Sequence, residues 1–222
     1  MKNTSIAMTT NLKCKPRRQQ IGVSTTDHAF DQLVPPELRH FSQTHWTPVH
    51  VGLRAASLLA PGRHTRVLDV GSGIGKLCAV GALSSKAMWC GVEQHEDLVL
   101  AARRLTHTLR IADRTMFLHG DGLAIDWSDF NALYFYNPFE LPLFPDVSTA
   151  REHALAHEVQ IARVQERLAT LREGTRVLTF HGFGGVMPAT YELVYHERVP
   201  VVGLDLVLWI QRSRLQRMWR RS

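Results

Sequence analysis

Asp69-Val70-Gly71-Ser72-Gly73-Ile74-Gly75 places a carboxylate at the end of an apolar run and follows it with three alternating glycines. An apolar, helix-like stretch begins at Leu77. A glycine turn in such a place lets backbone N–H groups approach a ligand at the partly positive start of a helix. The spacing selects the ligand. A dinucleotide fingerprint requires glycine at the sixth position of G-x-G-x-x-G, and that position holds Lys76, which disfavours a pyrophosphate. Glu93 follows Gly91-Val92, 24 residues after Asp69 and so about one strand–helix–strand step along. A carboxylate there can accept two hydrogen bonds from the vicinal hydroxyls of a ribose, although the helix dipole alone also favours an acid at a helix start. Asp121, in Gly120-Asp121-Gly122, is suited to accept from an exocyclic adenine amine while Gly122 admits the base to the backbone. Gly-Asp-Gly is equally a turn signal. In Tyr134-Phe135-Tyr136-Asn137-Pro138-Phe139-Glu140 the groups suit an amine nucleophile. The Asn137 side-chain carbonyl and the backbone carbonyls before or at Pro138 can accept N–H groups, and Tyr136 or Phe139 offers a face to a cation or ring. Asn and Pro also end strands.

The elements that must position these residues follow from periodicity. Apolar strand-like runs at 67–70, 87–92, 115–119, 132–136 and 175–180 alternate with helix-like stretches from 77, over 96–110 and over 147–172. In the last of these Leu155, Val159, Ile161, Val164 and Leu168 recur at helical spacing. A helix over 48–59 precedes the set, with Val49, Leu53, Ala56 and Leu59 on one side. Alternation of strand and helix implies a parallel sheet covered on both faces. The strands expected at 191–196 and 204–211 have no helix between them, as in a terminal antiparallel hairpin. Ligands of such sheets sit at the carboxyl ends of the strands, where Asp69, Glu93, Asp121 and Asn137 all fall.

An acid two residues before G-x-G-x-G resembles the class I S-adenosylmethionine-dependent methyltransferases. The resemblance implies a Rossmann-like, seven-stranded, mostly parallel α/β sheet with helices on both faces and a C-terminal antiparallel hairpin. It implies S-adenosylmethionine as cofactor, with Asp69, Gly71, Ser72, Gly73 and Gly75 near the methionine moiety, Glu93 on the ribose, and Asp121 with Gly122 on the adenine. Asn137-Pro138-Phe139 resembles the (Asp/Asn)-Pro-Pro-aromatic loop of amino-methyltransferases, with one proline instead of two. Asp-x-Gly-Ser-Gly-x-Gly-Lys, Gly-Val-Glu and the asparagine–aromatic loop are similar to those of the non-SET protein lysine methyltransferases. Thr47-Pro48 resembles the segment that closes over the cofactor there. The likeness spans about residues 45–140. It implies catalytic roles for Tyr136, Asn137, Pro138 and Phe139, a further cofactor contact from Asn137, and transfer to nitrogen, a protein lysine first. Transfer to a small molecule or nucleobase, or a silent methyltransferase-like binding module, are the alternatives.

Composition bounds the rest. The chain has 222 residues, 45% hydrophobic and 21% charged, which fits one globular domain over 27–212 between a basic N-terminal tail, 1–26, and a basic C-terminal tail, 213–222. No acid precedes Asp27, so a transit segment is the alternative for the N-terminus. The formal charge of +6 is concentrated at the ends, where nucleic acid is a conceivable partner beside the methyl acceptor. Three cysteines without C-x-x-C spacing point to a reducing compartment, hence the cytoplasm, and no apolar run reaches the ~20 residues of a membrane span. His153 and His157 are four apart on the expected long helix but lack an evident third ligand, so no metal is expected. His181, after the fifth strand, is a candidate for the acceptor side.

Overall fold

The computed structural model describes residues 26–43, 45–138, 150–200 and 202–212. The expected tails (apart from Thr26) and Phe139 of the expected catalytic set lie outside the described residues.

The chain enters through a short helix α1 (Asp27–Asp31), a 3-10 helix (Pro36–Gln43) and α2 (Val49–Leu59), then alternates β1 (Arg66–Val70), α3 (Lys76–Ser84), β2 (Met88–Glu93), α4 (Glu96–Thr108) and β3 (Thr115–His119). β4 (Ala132–Phe135), α5 (Ala150–Thr170) and β5 (Arg176–Phe180) follow, and β6 (Tyr191–Val199) and β7 (Leu204–Gln211) close the chain. All seven strands join one sheet in the order β3-β2-β1-β4-β5-β7-β6. The first five run parallel and β7 is antiparallel to both its neighbours. This is the expected sheet with its terminal hairpin. The strand order reverses between β1 and β4, and a crevice opens at the carboxyl ends of strands on either side of such a reversal.

Alternation along the central strands builds two cores. Val67 and Tyr134 point with Leu178 and Phe180 toward α2, α3 and α4. Leu68, Val70, Leu133 and Val177 point toward α5 and the buried Trp127. The central strands are buried on both faces, which is why they read as unbroken apolar runs.

Leu155 and Val159 do not share the packed face of α5; they are 64% and 48% exposed, whereas Ile161, Val164, Leu168 and Leu171 are buried. At about 100° per residue, 155 and 159 lie on the side of the cylinder opposite 161, 164 and 168. Apolar content was present, but it divides between two faces.

Candidate cofactor and acceptor site

The glycine loop gets its shape from β2. The N–H groups of Gly71 and Ser72 both donate to the Val92 carbonyl, at 2.9 and 3.0 Å. Gly75 caps α3 in the left-handed region at φ 71°. A Cβ there would stand 2.5 Å from the Phe117 ring, so only glycine lets α3 approach β3 this closely.

Glu93 ends β2 beneath this loop and is 7% exposed. Its Oε2 accepts from the Gly73 N–H at 3.0 Å and its Oε1 from the His95 N–H at 3.0 Å. Among the described residues no ion pair reaches it. Two amides thus fix the carboxylate and leave acceptor capacity on both oxygens, which matches the paired hydroxyls of a ribose. The residues present fit the adenosine part of S-adenosylmethionine on this observation.

Asp69 is 4% exposed and faces α3, where Cys78 Sγ donates to its Oδ2 across 3.7 Å. Burial pushes its carboxyl up to about 7; the Cys78 contact opposes this, and the nearby Glu93 carboxylate adds to it. A carboxyl that holds its proton longer when folded stabilises the fold most at low pH. That contribution falls away as pH rises from the unfolded value near 4 through about 7. Asp69→Asn should therefore flatten this part of the profile, which thermal unfolding between pH 4 and 8 would reveal; an unchanged slope would mean that Asp69 is already ionised in the folded protein.

The other expected residues take varied places. Asp121 is exposed, and its Oδ1 accepts from the Leu123 N–H at 2.8 Å, so it caps its own turn. Gly122 is buried, with its carbonyl accepting from the Trp127 indole at 2.9 Å. Thr47 is buried and its hydroxyl shares a 2.8 Å hydrogen bond with that of Tyr134 on β4. Tyr136 packs its ring 4.8 Å from that of Phe180. Pro138 lies directly against the glycine loop, since a Cβ on Gly71 would come within 2.9 Å of its own Cβ. Asn137 is left-handed at φ 41°, as is His181 at φ 62°. The Asn137 N–H donates to the Gly182 carbonyl at 3.1 Å, which ties the ends of β4 and β5 together. Asparagine and histidine tolerate this region better than most residues, and such conformations concentrate at functional sites.

The glycine loop, Glu93 and the Asn137-Pro138 turn are thus joined by direct contacts, and Thr47 is tied to β4 through Tyr134. Asp121 stands at the next strand end, linked through the Gly120 N–H to the Glu93 carbonyl at 2.9 Å. A cleft of about 350 Å³ is lined by Gly182, whose carbonyl accepts from Asn137, and by His181, Phe183, Met187, Asp205 and Trp209 among others. Another, of about 320 Å³, lies away from these strand ends, between the last turns of α2 and α3. Among the described residues no group of three or more His, Cys, Asp or Glu could hold a metal, and no helix is long and apolar enough to cross a membrane. Periodicity did not single out Lys76, Trp46 or Tyr134 as parts of the site. The available signal was a buried strand tyrosine whose hydroxyl must find a partner.

Comparison with known proteins agrees with this geometry. The family model of protein-L-isoaspartate(D-aspartate) O-methyltransferase matches residues 40–137. That span runs from the middle of the 3-10 helix to the Asn137 turn. An RNA methyltransferase from Salinibacter ruber, in complex with S-adenosyl-L-homocysteine, is similar at 22% identity and TM-score 0.53, over 75% of this chain and 91% of that one. The putative methyltransferase yhhF from Escherichia coli is similar at 14% identity and TM-score 0.54, over 74% and 86%. The cyclase SpnF is similar at 14% identity and TM-score 0.56, over 74% and 81%. The fold therefore hosts more than one chemistry. No curated protein matches the sequence.

Proposed function

We propose that this chain is a class I S-adenosylmethionine-dependent methyltransferase that transfers the methyl group to a nitrogen, with a protein lysine as the first candidate. S-adenosylmethionine is its cofactor, and a sulfonium carries both the methyl group and its leaving group. The chain has to bind it, hold a nucleophile in line, and shield the reaction from water.

In this reading Glu93 holds the ribose and Asp121 with Gly122 the adenine. The glycine loop, with Asp69 behind it, receives the methionine end. Thr47 and Trp46 close one side. Asn137 lies at the end of β4, and its side-chain carbonyl accepts an N–H of the incoming amine, which keeps the nitrogen lone pair free. The carbonyl before Pro138 is a second acceptor, and Tyr136 offers its ring face. Phe139 is proposed as the aromatic wall on the strength of the motif. The acceptor arrives along the cleft of His181 and Trp209.

The observation that supports this most directly is the contact of Pro138 with Gly71. It sets the Asn137 turn against the loop that receives the cofactor, where a nucleophile must stand. The elements beyond the Asn137 turn lie outside the family match, so the carboxylate acceptor named for that family does not carry over with the cofactor half.

The test has two steps. Calorimetric titration with S-adenosylmethionine and S-adenosylhomocysteine should show saturable binding. A labelled methyl group should then pass to the protein fraction of a lysate, and Asn137→Ala should lower the rate by about 100-fold through lost alignment. Label in the nucleic-acid or small-molecule fraction instead would overturn the lysine reading, and tight binding without any transfer would favour a binding module.

A further inference from the structure

Lys76 is the first residue of α3 and its side chain is 2% exposed. An ammonium there meets the positive end of a helix dipole and has lost its water, a cost of several kcal/mol unless it is paired. Its partners all come from the chain before α2. Asp27 Oδ1 lies 2.7 Å from Nζ and Asp31 Oδ1 3.1 Å, and Ser42 Oγ is at 3.2 Å. The rings of Phe30 and Trp46 stand 5.3 and 5.7 Å away. Asp27 Oδ1 also accepts from the Val49 N–H at 2.9 Å and so caps α2, whose Pro48 cap has no side-chain hydrogen bond. The charge thus gathers α1, the 3-10 helix and the start of α2 around one point.

That point adjoins the glycine loop. The Trp46 indole lies 3.9 Å from where a Cβ on Gly73 would stand, and Thr47 beside it is hydrogen-bonded to Tyr134. If residues 27–46 leave, the loop loses its Trp46 wall.

We propose that Lys76 is a positioning residue for the cofactor site, clamping residues 27–46 onto the glycine loop so that docking of this segment and cofactor binding are thermodynamically linked. The proposal rests on the cofactor reading of the loop. Linkage is reciprocal: a ligand that touches the docked wall favours docking, and docking favours the ligand by the same factor.

The experiment uses the full chain, Lys76→Met, and the milder Asp31→Asn, which keeps the Asp27 pair. S-adenosylhomocysteine affinity is measured by calorimetry, and hydrogen exchange is followed with and without that ligand. The expected result is that the ligand slows exchange over 27–46 in the wild type. Lys76→Met should bind it about tenfold or more weakly, with faster exchange over 27–46 and unchanged exchange in β4 and β5; Asp31→Asn should be intermediate. Wild-type binding with equal affinity in both variants would overturn the clamp alone. So would a ligand that leaves exchange over 27–46 unchanged, or exchange that rises throughout the sheet in both variants, which is the mark of a general core role. A wild-type chain that binds no S-adenosylhomocysteine would instead overturn the cofactor reading, and the clamp with it.

Discussion

Glu93→Ala is expected to weaken S-adenosylhomocysteine binding by at least about 100-fold. Hydrogen bonds to a charged acceptor contribute about 1.5–3 kcal/mol each, and two of them to a ribose would amount to more than the ~2.7 kcal/mol that a 100-fold change requires. The substitution also strips the Gly73 and His95 N–H groups of their acceptor, so the loop loses its tether as well as the ligand its anchor. Calorimetry on a variant verified as folded by circular dichroism measures the effect. Glu93→Gln separates the two roles: it keeps the length and one oxygen but turns an NH2 toward one of the two amides. Wild-type affinity in Glu93→Ala would reduce the carboxylate to a structural brace.

Gly75→Val should cost the fold about 2–5 kcal/mol, the sum of a left-handed backbone penalty and overpacking of a tight interface. The φ of 71° is one half of the argument. The other is that a Cβ would meet the Phe117 ring at 2.5 Å and the Ala102 Cβ at 3.1 Å, and neither a strand residue nor the helix packed on it can easily give way. Gly73→Ala is the control. Its φ is also positive, at 53°, but its Cβ would meet only the Trp46 indole, at 3.9 Å, so the strain stands without the clash. The unfolding free energies of the two variants, from denaturant titration, should differ by about 2 kcal/mol; equal values would show that α3 can shift away from β3.

Most of the fold and the centre of the candidate site were legible because their signals are local. The acid-glycine run, the 24-residue step to Glu93 and the missing helix before β7 each show within a short window, set by backbone sterics or by the length of one crossover. They give the sheet, its hairpin and the loop under which Glu93 is held. The division of α5 was legible too, but only by angle: apolar residues at 155 and 159 share a spacing with 161 and 164 without sharing a face.

The rest required closure over long separations. Lys76 entered the sequence argument as a missing glycine, and its partners stand 30 to 49 residues upstream in a segment of no marked periodicity. Thr47 and Tyr134 meet across 87 positions, and Asn137 meets Gly182 only because β4 and β5 are neighbours. The proton affinity of Asp69 likewise depends on how completely α3 buries it. Residue type and spacing determined which cofactor chemistry this chain can hold. Tertiary packing decided which groups wall the candidate site and which carboxyl has its proton affinity raised, because burial and electrostatic pairing depend on distance through space and leave no mark on neighbouring residues in the chain.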